Sequence, residues 1–214
     1  MTNKDATARV LDAALTDRLF IGQILICKRN GSSVLSHRDD EGRVDLQKSS
    51  NPEDALEIAR YDDGGNYRPL KTAPNLRHGW QLQLVDLHAL RIALDHFYPG
   101  RLAVFATWKA NRLTTTPLRA TLDRQSGLYR IAAKISNEQL DPLVANFCRS
   151  DGGCLRTILW KRDASGAIAS SRLPPEKFDP ARDQTSHGEE TIPLLCQEMC
   201  NLLVAECRKV VKAK

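Results

Sequence analysis

Six cysteines are spread unevenly along this 214-residue chain, and they are the residues most able to carry chemistry. Five lie in the last third of the sequence, in which Cys148 pairs with Cys154 and Cys196 pairs with Cys200. Cys27 stands by itself in an apolar run. Since nothing at the N-terminus reads as an export signal, we expect reduced thiols rather than a disulfide framework.

Two cysteine pairs separated by 41 residues can hold a zinc ion or an iron–sulfur cluster. Structural zinc sites favour roughly two to four residues between paired cysteines. Five residues separate Cys148 from Cys154, and three separate Cys196 from Cys200. This spacing favours the larger iron–sulfur cluster. A zinc ion and reduced core cysteines stay open as alternatives.

The second pair is predicted to lie on a helix that begins at Pro193. On that helix Cys196 and Cys200 would share one face near the first turn, where N–H groups and the positive dipole end favour an anionic site. Cys207 shares the face but lies about 10 Å further along the axis. We therefore expect neither Cys207 nor Cys27 to be a ligand.

The elements that position these thiols predict an α+β protein in two parts. Residues 1–130 are expected to form a small antiparallel sheet with helices, including a hairpin that turns at Asn30 and Gly31. Residues 131–214 are expected to be mainly helical and to bind the cluster. Ser136 and Gln139 form a capping box for the helix that leads to Cys148. Residues 163–188 are predicted to be a loop that covers the cluster.

Charge is concentrated in one stretch rather than spread along the chain. The net charge is +5, which is too mild to indicate a nucleic-acid binder by itself. The stretch from Arg101 to Ile135 contains seven basic residues and a single acidic residue. Arg119, Arg124 and Arg130 are candidates to dock an anionic ligand or an acidic partner, and a solvated surface is the alternative.

Several function classes find no support in the sequence. It contains no nucleophile elbow, metalloprotease motif, phosphate loop or dinucleotide fingerprint, so no catalytic residue is assigned. No apolar run is long enough to span a membrane, and we expect a cytoplasmic protein. His88 and His96 lie too far off a shared helix face to form a joint metal site. His78 is expected in a turn that buries Trp80.

The cysteine motifs and several upstream motifs resemble a known pair of domains. Residues 148–160 and 192–203 resemble the four-cysteine 4Fe-4S domain at the C-terminus of certain CbiX-type sirohydrochlorin cobaltochelatases. Residues 59–76, 78–80 and 86–99 resemble the stabilising domain that accompanies it. The resemblance covers roughly residues 20–210.

This resemblance implies a 4Fe-4S cluster on Cys148, Cys154, Cys196 and Cys200 and a role in siroheme or cobalamin-type tetrapyrrole metabolism. The chelatase domain of those enzymes has no counterpart here, so metal insertion is not implied. The expected function is electron transfer or a structural, auxiliary role, with a redox or tetrapyrrole-pathway protein as partner. The alternatives are a metal-stabilised module that binds nucleic acid or an acidic protein, and a catalytic subunit that acts on a tetrapyrrole.

Overall fold

The computed structural model describes residues 3–148, 153–160 and 191–213. The predicted loop at 163–188 lies outside them. Of the described residues, 3–112 and 191–194 form one compact unit, and 113–148, 153–160 and 195–213 form a second. The sequence placed this boundary at residue 130. The division falls earlier because Leu118 and Leu122, which precede residue 130, pack into the core of the second unit.

In the residues that the structure describes, the first unit contains a sheet and four α-helices. Its helices are α1 (Asn3–Ala14), α2 (Asp54–Arg60), α3 (Leu87–Phe97) and α4 (Arg101–Lys109). Its strands are β1 (Arg18–Ile21), β2 (Ile24–Arg29), β3 (Ser32–His37), β4 (Gln47–Ser49), β5 (Trp80–Leu84) and β7 (Thr191–Ile192). A short 3₁₀ helix, Arg38–Asp40, follows β3.

The six strands form one sheet in the order β4-β5-β3-β2-β1-β7. The four central strands are antiparallel, as the sequence predicts. The edge strands β4 and β7 instead run parallel to their neighbours, so the sheet is mixed and larger than expected. β7 comes from residues more than 160 positions after β1, and no local pattern announces such a pairing.

The tightest turns of the sheet depend on backbone that favours glycine. Asn30 and Gly31 join β2 to β3 with φ values of 49° and 80°, which confirms the predicted hairpin. Gly22 has a φ of 57° and joins β1 to β2. The buried Tyr98 hydroxyl lies against it and accepts a hydrogen bond from the N–H of Gln23 at 2.8 Å. Gly22 therefore leaves room for the phenol ring.

The second unit is mainly helical, as predicted. It contains α5 (Leu118–Asp123), a 3₁₀ helix (Gly127–Lys134), α6 (Asn137–Cys148) and α7 (Asn201–Lys212), with the two-residue strands β6 (Thr157–Ile158) and β8 (Leu195–Cys196). The fold class is therefore α+β, in agreement with the sequence. No helix in the described part of the chain is long and apolar enough to cross a membrane.

Candidate metal centre

Cys148 is the last residue of α6, and the start of that helix is defined by its capping box. The N–H of Ser136 donates to Gln139 Oε1 at 3.1 Å, and the N–H of Gln139 donates to Ser136 Oγ at 3.4 Å. Leu140 and Val144 are fully buried on the same helix. This packing carries Cys148 into the core of the second unit, where 7% of it is exposed.

Cys154 lies in extended chain just before β6 and receives two hydrogen bonds from Arg156. The Nε of Arg156 lies 3.1 Å and its backbone N 3.5 Å from the Sγ of Cys154. β6 then pairs with β8, which sets Ile158 opposite Cys196. This short parallel pairing brings the segment after the first cysteine pair beside the first cysteine of the second pair.

Cys196 lies in β8 and is buried next to an aromatic donor. The Nε1 of Trp160 donates to its Sγ at 3.3 Å, and that Sγ lies 3.2 Å from the carbonyl oxygen of Glu198. Leu159 adds a backbone hydrogen bond to the carbonyl of Cys196 at 2.8 Å. The sulfur is therefore held on a fixed backbone with an N–H group directed at it.

The predicted helix from Pro193 is wrong. Cys196 is in a strand, and α7 begins only at Asn201. Every residue from Ile192 to Leu195 is buried, which suits a buried extended segment better than a helix that turns part of its surface to solvent. Cys200 instead caps α7 with an extended backbone, φ −83° and ψ 159°. Its thiol is therefore next to the positive end of the α7 dipole, whereas Cys196 is not.

The four thiols are close enough to affect one another's ionisation. Burial raises the pKa of Cys148, and the charges of Cys200, Cys154 and Cys196 raise it further. Burial also raises the pKa of Cys196, which Arg156 and the Trp160 hydrogen bond oppose. Burial alone would lower the pKa of Arg156, but the charges of Cys196 and Cys154 raise it instead. A guanidinium that stays charged among the thiols favours their deprotonated, ligating form.

The spacing of the sulfurs suits a cluster better than one ion. A tetrahedral zinc ion holds its sulfurs roughly 3.8 Å apart. Within the described residues, the three ligand atoms that all lie within 4.8 Å of one another belong to His37, Asp39 and His78 and include no cysteine sulfur. Four gathered thiols with N–H donors on two of them fit an iron–sulfur cluster.

The remaining two cysteines are placed differently. Cys27 lies in β2 of the first unit. Cys207 is fully buried in the core of the second unit on α7, where burial raises its pKa to about 12. None of the six forms a disulfide bond in the described structure.

The three arginines proposed for docking have different surroundings. Arg119 donates to the carbonyl oxygens of Ala133 and Ile135 at 3.1 Å, so its guanidinium supports the fold. Arg124 forms an exposed ion pair with Glu198. Arg130 is exposed on the 3₁₀ helix. Among the described residues, Arg130 is therefore the exposed arginine of the three that holds no ion pair.

Sequence reasoning missed Arg156 and Trp160. A signal was present, since Cys154, Arg156, Ile158 and Trp160 alternate with the period of an extended chain and so share one side of it. That alternation, together with the cysteine motif, predicts that the guanidinium and the indole lie on the same side of the chain as the Cys154 thiol.

Comparisons with known proteins agree with this division of the chain. The family model described as the DR2241 stabilising domain matches residues 6–112, and the model of a 4Fe-4S iron-sulfur cluster binding domain matches residues 110–209. No curated protein matches the chain.

The comparison with solved structures finds a protein that is similar over the whole chain. It is DR2241 from Deinococcus radiodurans, described as a multi-domain protein with structural similarity to chelatases and with two additional novel domains. The two proteins are 26% identical with a TM-score of 0.80, and the match covers 100% of this chain and 43% of that one. This chain thus spans less than half the length of DR2241. Because the first family model covers half of the sequence and the second follows it directly, the chain belongs to the DR2241 stabilising domain family and carries a 4Fe-4S iron-sulfur cluster binding domain.

Proposed function

We propose that Cys148, Cys154, Cys196 and Cys200 ligate the 4Fe-4S cluster and that the cluster transfers electrons in or near tetrapyrrole metabolism. The observation that carries this proposal is the pair of N–H contacts to sulfur, from Arg156 to Cys154 and from Trp160 to Cys196. Hydrogen bonds to ligand sulfur are one of the main means by which a protein sets the reduction potential of a cluster.

When bound, a 4Fe-4S cluster accepts and releases single electrons. The residues of this chain define its surroundings. Arg156 and Trp160 withdraw electron density from two sulfurs, which favours the reduced state. Cys148 and Cys196 are buried and keep water from one side of the site, whereas Cys154 and Cys200 are partly exposed. An electron would therefore enter or leave on the side of Cys154 and Cys200.

The link to tetrapyrroles has two supports. The motifs of the chain resemble the accessory domains of sirohydrochlorin cobaltochelatases. The solved relative DR2241 is described as similar to chelatases, and this chain matches 43% of it. An electron-transfer module beside a chelatase-like domain would serve chemistry in which the metal or the macrocycle changes oxidation state.

Anaerobic purification tests the cofactor and its ligands. We expect brown protein with a broad absorption band near about 400 nm and about four iron and four sulfide per chain. Reduction by dithionite should bleach the band and produce an electron paramagnetic resonance signal, and reoxidation should restore the original spectrum. Colourless protein with one zinc per chain would contradict the proposal.

A redox titration of the purified protein separates electron transfer from a structural role. A redox-active cluster reduces reversibly within the range of roughly −700 to +450 mV that such clusters span. A cluster that resists reduction over this range, while its removal unfolds the second unit, would be structural. Circular dichroism of protein with and without the cluster measures that unfolding.

The proposal includes a binding partner. The exposed Arg130 would bind an acidic redox protein or a carboxylate-rich tetrapyrrole. Arg130→Glu should weaken binding of uroporphyrin or of an acidic ferredoxin and reduce its dependence on salt. Arg124→Glu is the matched variant, because Arg124 is already paired with Glu198. Duplex DNA is the third probe. Equal binding by wild type and Arg130→Glu would show that Arg130 is an ordinary solvated residue with no docking role.

A further inference from the structure

His37 and Asp39 meet His78 in the first unit, although His78 lies 41 positions after His37 in the sequence. His37 ends β3, Asp39 follows it in the 3₁₀ helix, and His78 precedes β5. The antiparallel pairing sets Ser36 opposite Gln81 and so brings the end of β3 beside the start of β5. The sheet register, rather than any local motif, creates this cluster.

The ligand atoms of these three side chains lie within 4.8 Å of one another. The rings of His37 and His78 have centroids 3.8 Å apart, and the Nδ1 of His37 lies 3.7 Å from Asp39 Oδ2. Imidazole nitrogen with carboxylate oxygen is the donor set that zinc and similar divalent transition metals take. Small rotations of His78 and Asp39 would bring the donors to the roughly 3.4 Å spacing of a tetrahedral site.

His37 offers its Nδ1 nitrogen to a cation. His37 is fully buried at the end of β3. Its Nε2 lies 3.1 Å from the side-chain nitrogen of Gln23, and its Nδ1 accepts a hydrogen bond from the N–H of Asp39 at 3.1 Å. A cation at Nδ1 would take the place of that hydrogen bond.

His78 is held between two carboxylates. Its Nδ1 lies 3.3 Å from Asp40 Oδ1, and its Nε2 lies 3.2 Å from Asp63 Oδ2. Asp40 is buried and fixed by Arg43 and by the N–H of Gly79. A metal-ligating histidine usually donates its other N–H to a carboxylate, which orients the ring and strengthens the ligand. Either nitrogen of His78 can bind a cation while the other keeps an aspartate.

A cleft in the first unit gives solvent access to His78. A cleft of about 470 Å³ is lined by His78 and Asp63, with Asp62 and Tyr61 nearby. Asp39 is 67% exposed. A hydrated cation can therefore meet His78 and Asp63 from the cleft.

We propose that His37, Asp39 and His78 form a binding site for a divalent transition metal ion such as Zn²⁺, oriented by Asp40 and Asp63. This site is separate from the cysteines and does not rest on the function proposed for them. Its donors are nitrogen and oxygen, which bind Zn²⁺, Co²⁺ or Fe²⁺.

The test uses the full chain with its cluster intact, dialysed anaerobically against Zn²⁺ and analysed for metal per chain. Wild type should bind one zinc ion in addition to the cluster iron. Asp39→Asn and His78→Gln should weaken that binding by roughly 10-fold or more. His88→Gln, which changes an exposed histidine elsewhere on the unit, should bind as wild type does. Asp39→Asn keeps the test valid if His78→Gln folds poorly, because Asp39 is mostly exposed.

Co²⁺ absorption identifies the ligands independently. Nitrogen and oxygen ligands should give weak visible bands without the intense sulfur-to-cobalt charge-transfer bands of thiolate sites. Thiolate bands, absence of a bound ion, or equal affinity in wild type, Asp39→Asn and His78→Gln would each overturn the proposal.

Discussion

The indole Nε1 of Trp160 lies 3.3 Å from the Sγ of Cys196, and both side chains are buried in the core of the second unit. Trp160→Phe removes this donor while keeping an aromatic ring in the core. Because an N–H group directed at sulfur favours the reduced cluster, the variant should have a more negative reduction potential, by up to roughly 50 mV. Anaerobic redox titration followed by electron paramagnetic resonance measures the shift. An unchanged potential with an intact cluster would show that this hydrogen bond does not tune it.

The ligand set predicts a clear division among the cysteines. Serine at position 148, 154, 196 or 200 should remove the cluster or convert it to a smaller one, since each substitution takes away a thiolate. Cys207→Ala is the matched variant on α7 and should keep about four irons per chain, as should Cys27→Ala. Iron analysis and the visible spectrum distinguish the two groups. Iron lost from Cys207→Ala but retained in Cys148→Ser would disprove the assignment.

Gly22 should tolerate no side chain. A Cβ at this position would lie 2.6 Å from the Tyr98 Oη and 2.9 Å from Leu194 Cδ1. Gly22→Ala should lower the free energy of unfolding by about 3 kcal/mol, from left-handed backbone strain together with the clash. Gly31→Ala has a similar positive φ and open space around the Cβ, so it should cost only about 1 kcal/mol. Urea denaturation of both variants measures the contribution of the clash as the difference between their losses of unfolding free energy. Equal losses would contradict the prediction.

Tyr98 should make the first unit sensitive to alkaline pH. Burial raises its pKa to about 12 in the folded protein, whereas an exposed tyrosine ionises near about 10. The unfolded chain therefore releases this proton first, and stability falls as pH rises from about 10 through about 12. The loss attributable to Tyr98 should reach about 2–3 kcal/mol, and Tyr98→Phe should lack it. Unfolding measured for both proteins at several alkaline pH values checks this, and parallel curves would contradict it.

Arg119 and Arg124 should differ in their effect on stability although both belong to the basic stretch. Arg119→Ala leaves the carbonyls of Ala133 and Ile135 without a donor and should cost about 1–3 kcal/mol. Arg124→Ala removes an exposed ion pair and should cost less than about 0.5 kcal/mol. Thermal denaturation of the two variants compares them. Similar losses would mean that the Arg119 contacts contribute little to the fold.

Local chemistry determined which features could be predicted from the sequence. Asn30 and Gly31 carry the positive φ that a two-residue hairpin needs, and Ser136 and Gln139 form the reciprocal bonds of a capping box. Each signal lies within a few residues of the structure it specifies. The family resemblance, resting on the cysteine motifs, identified the cofactor.

The failures arose where distant pairing decided the outcome. Pro193 was interpreted as a helix start, but β8 pairs with β6 and delays the helix until Asn201. His37 and His78 are 41 positions apart and meet only through the pairing of β3 with β5. The sequence does not show which strands pair with each other, so neither contact could be found without the fold.

The strand β7 makes the first unit discontinuous in sequence. Ile192 pairs with Ile21 of β1, and after Pro193 and Leu194 the chain enters β8 of the second unit. A fragment that ends at Arg112 would contain every helix of the first unit that the structure describes and would still lack this strand. The open edge of β1 would then offer unpaired N–H and carbonyl groups to other chains and promote aggregation. Joining residues 191–194 to such a fragment through a flexible linker would close that edge, because the first unit is assembled from two separate stretches of the sequence.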